Sequence, residues 1–212
     1  MRALNAALLA VVPLMPPPHA PVPDALPCAM AIELRVHVPL GRHHVDLSMI
    51  THEVDRVWAP YGVTLCWTDG PDGCPGVAIR LRVLVTDALA PPPETRRRGR
   101  VLAEIALEGG APRPLILLSL DAVRRLVEEA VIGGTPLGSR SPAAVDNFVP
   151  RVAGRALAHE IGHYLLGSRQ HRAAGLMTAS FGADDAVLGP AARFRLRDPD
   201  GRHVREACGA LH

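Results

Sequence analysis

The segment His159-Glu160-Ile161-Gly162-His163 places two histidines four positions apart, with a glutamate directly after the first. On an α-helix, residues four apart lie one turn above each other, so the two imidazoles can bind a single metal ion. Glu160 can then take a proton from a water that zinc has activated, because zinc lowers the pKa of its water to about 7. The spacing therefore predicts a zinc-dependent hydrolase with Glu160 as the catalytic base.

A catalytic zinc needs a third protein ligand and must keep one position open. His171 is the nearest candidate, because it follows Gly167, a residue suited to ending the helix in the left-handed conformation. Asp184 and Asp185 are the alternative, since an aspartate beyond the helix can also complete a zinc site. His203 is a remote fallback.

The simplest alternative is a surface helix that carries two histidines by chance, because short motifs have a known false-positive risk. Apolar residues recur at helical spacing before the motif, Gly167 follows it, and His171 lies within reach. These features favour the metal site. His52 and Glu53 begin a similar fragment, but Arg56 stands in place of its second histidine, so we predict a solvated helix face there.

Further along the chain, Gly175-Leu176-Met177-Thr178 resembles the methionine turn beneath the zinc of metzincin peptidases. Together with the histidine motif, the stretch from His159 to Met177 resembles the metzincin signature. The resemblance implies an α+β zincin-like fold: a twisted mixed sheet, an active-site helix and a small C-terminal subdomain. It also implies one catalytic Zn²⁺, with Met177 packed below the ligands and not bound to the metal.

The sequence departs from the metzincin pattern in the loop after the helix. Metzincins usually have the spacing His-Glu-x-x-His-x-x-Gly-x-x-His, whereas here Gly167 comes one residue late and His171 two residues late. A slightly wider loop can still bring His171 to the metal, because closing a few added residues costs little entropy. No tyrosine directly follows Met177, so the tyrosine ligand of some metzincins has no counterpart.

Alternating and helical apolar patterns predict the elements that position these residues. The predicted strands are 31–38, 63–67, 77–85, 101–107 at an edge, and 115–120 covered on both faces. The predicted helices are 47–57, 121–130 with Asp121 as its cap, and 149–166, with a loop over 133–142. The order of strands and helices is also similar to that of metzincins.

The four cysteines, Cys28, Cys66, Cys74 and Cys208, include no Cys-x-x-Cys pair, so disulfides fit better than metal binding. A turn-forming stretch between Cys66 and Cys74 can bring them within bridging distance. If they pair, Cys28 and Cys208 remain for each other. Four free buried thiols are the alternative, and Cys28 could also cap the zinc in a propeptide.

Residues 1–27 resemble an export signal and Pro-rich leader, with an apolar run too short to span a membrane. We therefore expect a single catalytic domain over 28–212, secreted or periplasmic, although a disordered leader of a cytoplasmic protein is the alternative. The formal charge is only +2, and all 23 basic residues are arginine, which implies no nucleic-acid partner. A monomer is expected.

These features predict a secreted zinc metalloendopeptidase whose partner is a peptide or protein substrate. The same ligands could serve another amide hydrolase. A binding module that keeps the zinc but performs no catalysis is the alternative of a different class, and the presence of Glu160 argues against it because such a module does not need a base.

Overall fold

A mixed five-stranded sheet forms the framework of the molecule in the computed structural model, which describes residues 30–39, 46–70, 72–86 and 101–209. Its strands are β1 (Met30–His37), β2 (Val63–Thr68), β3 (Ile79–Thr86), β4 (Ala103–Glu108) and β5 (Ala111–Ser119). Their order is β2-β1-β3-β5-β4, and β4 alone among them runs antiparallel to its neighbour. The mixed sheet and the edge position of β4 are confirmed.

Six helices and one small hairpin accompany this sheet within the described residues. They are α1 (Leu47–Trp58), α2 (Leu120–Glu129), the hairpin strands β6 (Val131–Ile132) and β7 (Thr135–Pro136), α3 (Pro142–Asp146), α4 (Val149–Leu165), α5 (Ala183–Leu188) and α6 (Asp200–Gly209). Short 3-10 turns occur at Ala59–Tyr61, Leu137–Ser139 and Ala191–Phe194.

Helix α4 runs through the hydrophobic core, and nearly all its residues from Val149 to His163 are buried. It packs against α1, β4, β5 and α2. Pro150 is accommodated because it lies in the first turn, where no intrahelical partner for its missing N–H is needed. The helix ends where Gly167 adopts a left-handed φ of 57°. A buried, well-packed helix is a rigid support for side chains that must hold a metal.

Several local predictions need correction. The cap of α2 is Ser119 rather than Asp121, because the Ser119 hydroxyl accepts a hydrogen bond from the Ala122 N–H. Strand β5 begins at Ala111, four residues before the apolar run, and its residues Leu115 and Leu117 are only half buried. The predicted loop 133–142 instead includes most of the β6–β7 hairpin and the start of α3.

The predicted solvated face at Glu53 is wrong. Glu53 is only 5% exposed, and its carboxylate accepts a hydrogen bond of 2.7 Å from the Arg155 guanidinium of α4. His52, on the neighbouring position of α1, is exposed as expected. The error arose because a glutamate in a helical pattern is usually solvated, and its partner lies 102 positions away in the sequence.

Cys66 and Cys74 form the predicted disulfide, with Cα atoms 6.3 Å apart. Cys208 is also disulfide-bonded, whereas Cys28 and the predicted leader over 1–27 lie outside the described residues. Among the described helices, none is long and apolar enough to cross a membrane.

Candidate metal centre

His159 and His163 lie on one face of α4, and both are at most 7% exposed. Each ring is oriented by a backbone carbonyl: the His159 Nδ1–H donates to Leu176 O and the His163 Nδ1–H donates to Ser168 O, both at 2.7 Å. These bonds place the proton on Nδ1 and leave the Nε2 lone pair of each ring free. Such outer hydrogen bonds fix both the tautomer and the orientation of metal-binding histidines.

His171 approaches the helical pair from the loop that follows α4. Its ring centroid lies 5.3 Å from that of His159 and 5.0 Å from that of His163. Ligand nitrogens of the three rings lie within 4.8 Å of one another. The widened loop therefore does bring His171 to the other two histidines, despite its late position in the sequence.

The three histidines favour the neutral form that binds metals. Burial lowers the pKa of His159 to about 4, against a raising effect of its bond to Leu176. Burial also lowers the pKa of His163 and of His171. At His163 the bond to Ser168 opposes this effect and the imidazole of His171 adds to it. At neutral pH the cluster offers lone pairs rather than positive charges.

This donor set fits zinc. Neutral imidazoles are borderline ligands that zinc accepts, and three of them leave a fourth position open, as in catalytic zinc sites. His171 is exposed, so solvent can reach the cluster on that side. In His159 and His163 the Nδ1–H donates to a carbonyl and Nε2 remains free, which is the usual arrangement of a metal-binding histidine.

Glu160 lies at the junction of α4 and the edge strand β4. Its Oε2 accepts a hydrogen bond of 2.9 Å from the Ile105 N–H, and the residue is 8% exposed. Burial raises the pKa of Glu160 to about 8; the bond from Ile105 opposes this rise and the charge of Glu104 adds to it. A cation bound to the nearby histidines would lower this pKa, because positive charge favours the carboxylate.

The turn at Gly175–Thr178 lies directly against helix α4. The Thr178 N–H donates to Gly175 O, and Gly175 adopts a left-handed φ of 85°. Met177 is 2% exposed, and its Sδ lies only 2.5 Å from where a Cβ on Gly162 would stand. The thioether thus fills the space that the glycine between the two helical histidines leaves open.

The alternative ligands are engaged elsewhere. Asp184 Oδ1 accepts the Val131 N–H at 2.7 Å, and Asp185 pairs with Arg193 at 2.6 Å. His203 is exposed on α6. Among the described residues, the group of three or more potential ligands that could hold a metal consists of His159, His163 and His171.

The groups that orient the site could not be predicted from the sequence. The carbonyls of Ser168 and Leu176 and the N–H of Ile105 are backbone groups, so their residue types carry no signal. Phe181 was also missed: its ring stands edge-on to His159 with centroids 6.2 Å apart. An aromatic residue shortly after the methionine turn was the available clue.

No protein-family model and no curated protein matches this chain. Twelve chains of known structure do match it. One is the crystal structure of archaemetzincin from Methanopyrus kandleri, at 15% sequence identity and a TM-score of 0.48, covering 87% of this chain and 97% of that one.

Proposed function

We propose that the protein is an extracytoplasmic zinc-dependent metalloendopeptidase of the metzincin type, with His159, His163 and His171 as ligands and Glu160 as the general base. The observation that carries the proposal is the meeting of three neutral imidazoles with a buried glutamate at a sheet edge. A zinc ion bound there supplies a Lewis acid that activates water and polarises the substrate carbonyl.

The carboxylate of Glu160 has one atom fixed and one available. Oε2 accepts the Ile105 N–H, while no protein donor contacts Oε1 within the described residues. Oε1 is therefore the atom that would take the proton from the attacking water. Passing that proton to the amine of the departing peptide completes the cycle, because the same group serves as base and then as acid.

Strand β4 provides a place for an extended substrate. It lies at the edge of the sheet, and its Ile105 N–H already reaches the catalytic carboxylate. Peptides commonly bind by adding a strand to such an edge, with main-chain hydrogen bonds supplying affinity. This arrangement favours a peptide substrate over a small amide.

The Cys66–Cys74 disulfide supports an oxidising compartment, because glutathione and thioredoxin keep most cytosolic thiols reduced. Secretion or export to a periplasm agrees with the export signal expected over residues 1–27.

The test replaces Glu160 by glutamine, which keeps the shape and removes the base. We expect Glu160→Gln to keep its zinc while its cleavage of casein or of a quenched peptide library falls by about 10²–10⁴-fold. Glu206→Gln is the matched control, because Glu206 is an exposed glutamate of α6 and should leave cleavage unchanged. Cleavage retained in Glu160→Gln would remove the proposed mechanism. A wild type that binds zinc and cleaves no peptide would favour the binding module.

A further inference from the structure

The three histidines are held in different ways. His159 and His163 each donate an Nδ1–H to a backbone carbonyl. Within the residues that the structure describes, the ring of His171 has no corresponding partner, and this residue is exposed. Apart from its contacts with the other two rings, the orientation of His171 therefore depends on the backbone of its own loop.

That loop is fixed on both sides of His171. Before it, Ser168 bonds to His163 twice: its N–H donates to the His163 carbonyl and its own carbonyl accepts from the His163 ring. After it, the Arg172 N–H donates to the carbonyl of Met177 at 2.8 Å. Between these points, Arg169 and Gln170 are exposed. The position of His171 thus depends strongly on Arg172.

The side chain of Arg172 leaves the loop and reaches the first residue of α6. Its Nε donates to Asp200 Oδ2 and its Nη2 donates to Asp200 Oδ1, both at 2.8 Å. This is the paired geometry in which arginine and a carboxylate bind most strongly. Asp200 is only 4% exposed, so its charge is shielded from solvent and Arg172 is its compensating partner.

Helix α6 packs against the rest of the protein through one buried face. Val204 and Cys208 are buried, and Cys208 forms a disulfide. A cavity of about 340 Å³ lies between the loop residues Leu166 and Ser168 and the α6 residues Asp200 and His203. Among the described residues, the polar contact that joins residues 166–172 to α6 is the pair of hydrogen bonds between Arg172 and Asp200.

We propose that Asp200 is a positioning residue for the metal centre, which holds the third ligand, His171, in place through its paired hydrogen bonds to Arg172. This inference rests on the proposed function only in taking His171 as a zinc ligand. Asp200 lies 29 positions after His171 and would add to the support of the site. It would also explain how a loop longer than the usual spacing holds His171 in one position.

The test measures zinc affinity directly, by competition with a chromophoric chelator, in the full-length protein. Asp200→Asn keeps the shape and removes the charge, and we expect its zinc affinity to fall by about 10–100-fold, the range for partners that support metal ligands. Arg172→Lys, which keeps the charge and loses the fork, should fall in the same direction by less. Both should still take up one zinc at saturation.

Cobalt(II) loading gives a readout that a general loss of stability would not change. We expect the visible absorption of cobalt in Asp200→Asn to differ in intensity and position from that of the wild type, because His171 is no longer held at its place. Glu33→Gln is the matched control: Glu33 is 1% exposed and bonds to Arg35, Arg80 and Cys74 in or beside the sheet. It should lower thermal stability and leave zinc affinity unchanged.

Zinc affinities within twofold of wild type in both Asp200→Asn and Arg172→Lys would overturn the inference while leaving the metal site intact. An equal loss in Glu33→Gln would overturn it as well, because the effect would then be one of general stability. A wild type that binds no zinc would overturn both this inference and the proposed function.

Discussion

The proposed metal centre has two halves that are built differently. The helical half, with His159, Glu160 and His163, lies on α4 in the core, and each histidine ring is held by a carbonyl. The loop half, with His171, lies in an exposed segment and depends on a neighbour that reaches α6. Packing in the core supports the first half. Backbone hydrogen bonds of Ser168 and Arg172 hold the second half, together with the ion pair between Arg172 and Asp200.

The anchoring ion pairs of the two halves differ in the same way. In the helical half, Arg155 is 2% exposed; it donates to Glu53 and to the carbonyls of Asp185, Ala186 and Gly189. In the loop half, the Arg172 side chain is 38% exposed and donates two hydrogen bonds to Asp200. Loss of the Glu53–Arg155 pair should therefore destabilise the fold, whereas loss of the Arg172–Asp200 pair should lower the affinity for the metal.

The largest effect is expected when Glu53 is replaced by glutamine. The change leaves the Arg155 charge buried without its counter-ion, which typically costs about 3–5 kcal/mol of unfolding free energy. Urea unfolding monitored by circular dichroism measures this loss. Asp146→Asn, in the exposed pair with Arg124, is the control and should cost less than about 1 kcal/mol. A small loss in Glu53→Gln would show that α4 is not anchored by this pair.

Removing one ligand from each half should separate their roles in zinc binding. His171→Gln leaves the His159–His163 pair in place on a rigid helix, so we expect weak zinc binding to remain. His159→Gln leaves one helical and one loop histidine, so its zinc affinity should fall further than that of His171→Gln. We expect a loss of more than about a hundredfold relative to wild type, because losing a ligand costs more than losing a residue that supports one. Equal losses in competition titrations would remove the distinction between the halves.

A moderate effect is expected where the methionine turn contacts α4, at Met177 and Gly162. Gly162→Ala places a Cβ only 2.5 Å from Met177 Sδ. Overpacking of this kind costs about 1–3 kcal/mol, partly offset by the better helix propensity of alanine. Thermal unfolding would measure the change. Gly209→Ala is the control, because nothing lies within 4 Å of its new Cβ. Restoration of stability in the double variant with Met177→Ala would confirm the contact, and additive losses would refute it.

The smallest effect is expected for Met177→Leu, which roughly conserves volume and should cost less than about 1.5 kcal/mol. Thioether sulfur is a soft ligand poorly suited to a zinc held by three imidazoles, and Met177 packs against α4. Zinc content and most activity should therefore survive. Loss of zinc with an intact circular dichroism spectrum would mean that Met177 is a ligand.

The helical half and most of the sheet could be predicted from the sequence because local patterns encode them. The spacing of His159 and His163, the left-handed Gly167 and the alternation in β1 and β3 all depend on residues a few positions apart. The ion pairs of Glu53 and Asp200 could not be predicted, since their partners lie 102 and 28 positions away and no local pattern records such a contact. The α2 cap was missed because Ser119 and Asp121 are both good caps and only the backbone geometry decides between them.

The most direct test of the account is to identify the metal and its ligands in the purified wild-type protein. Elemental analysis should find one zinc per chain, and a crystal structure with anomalous data at the zinc edge should show it bound to Nε2 of His159, His163 and His171 at about 2.0–2.1 Å. Zinc held by the helical pair together with Asp184 or Asp185, or a protein that cannot take up zinc, would contradict it.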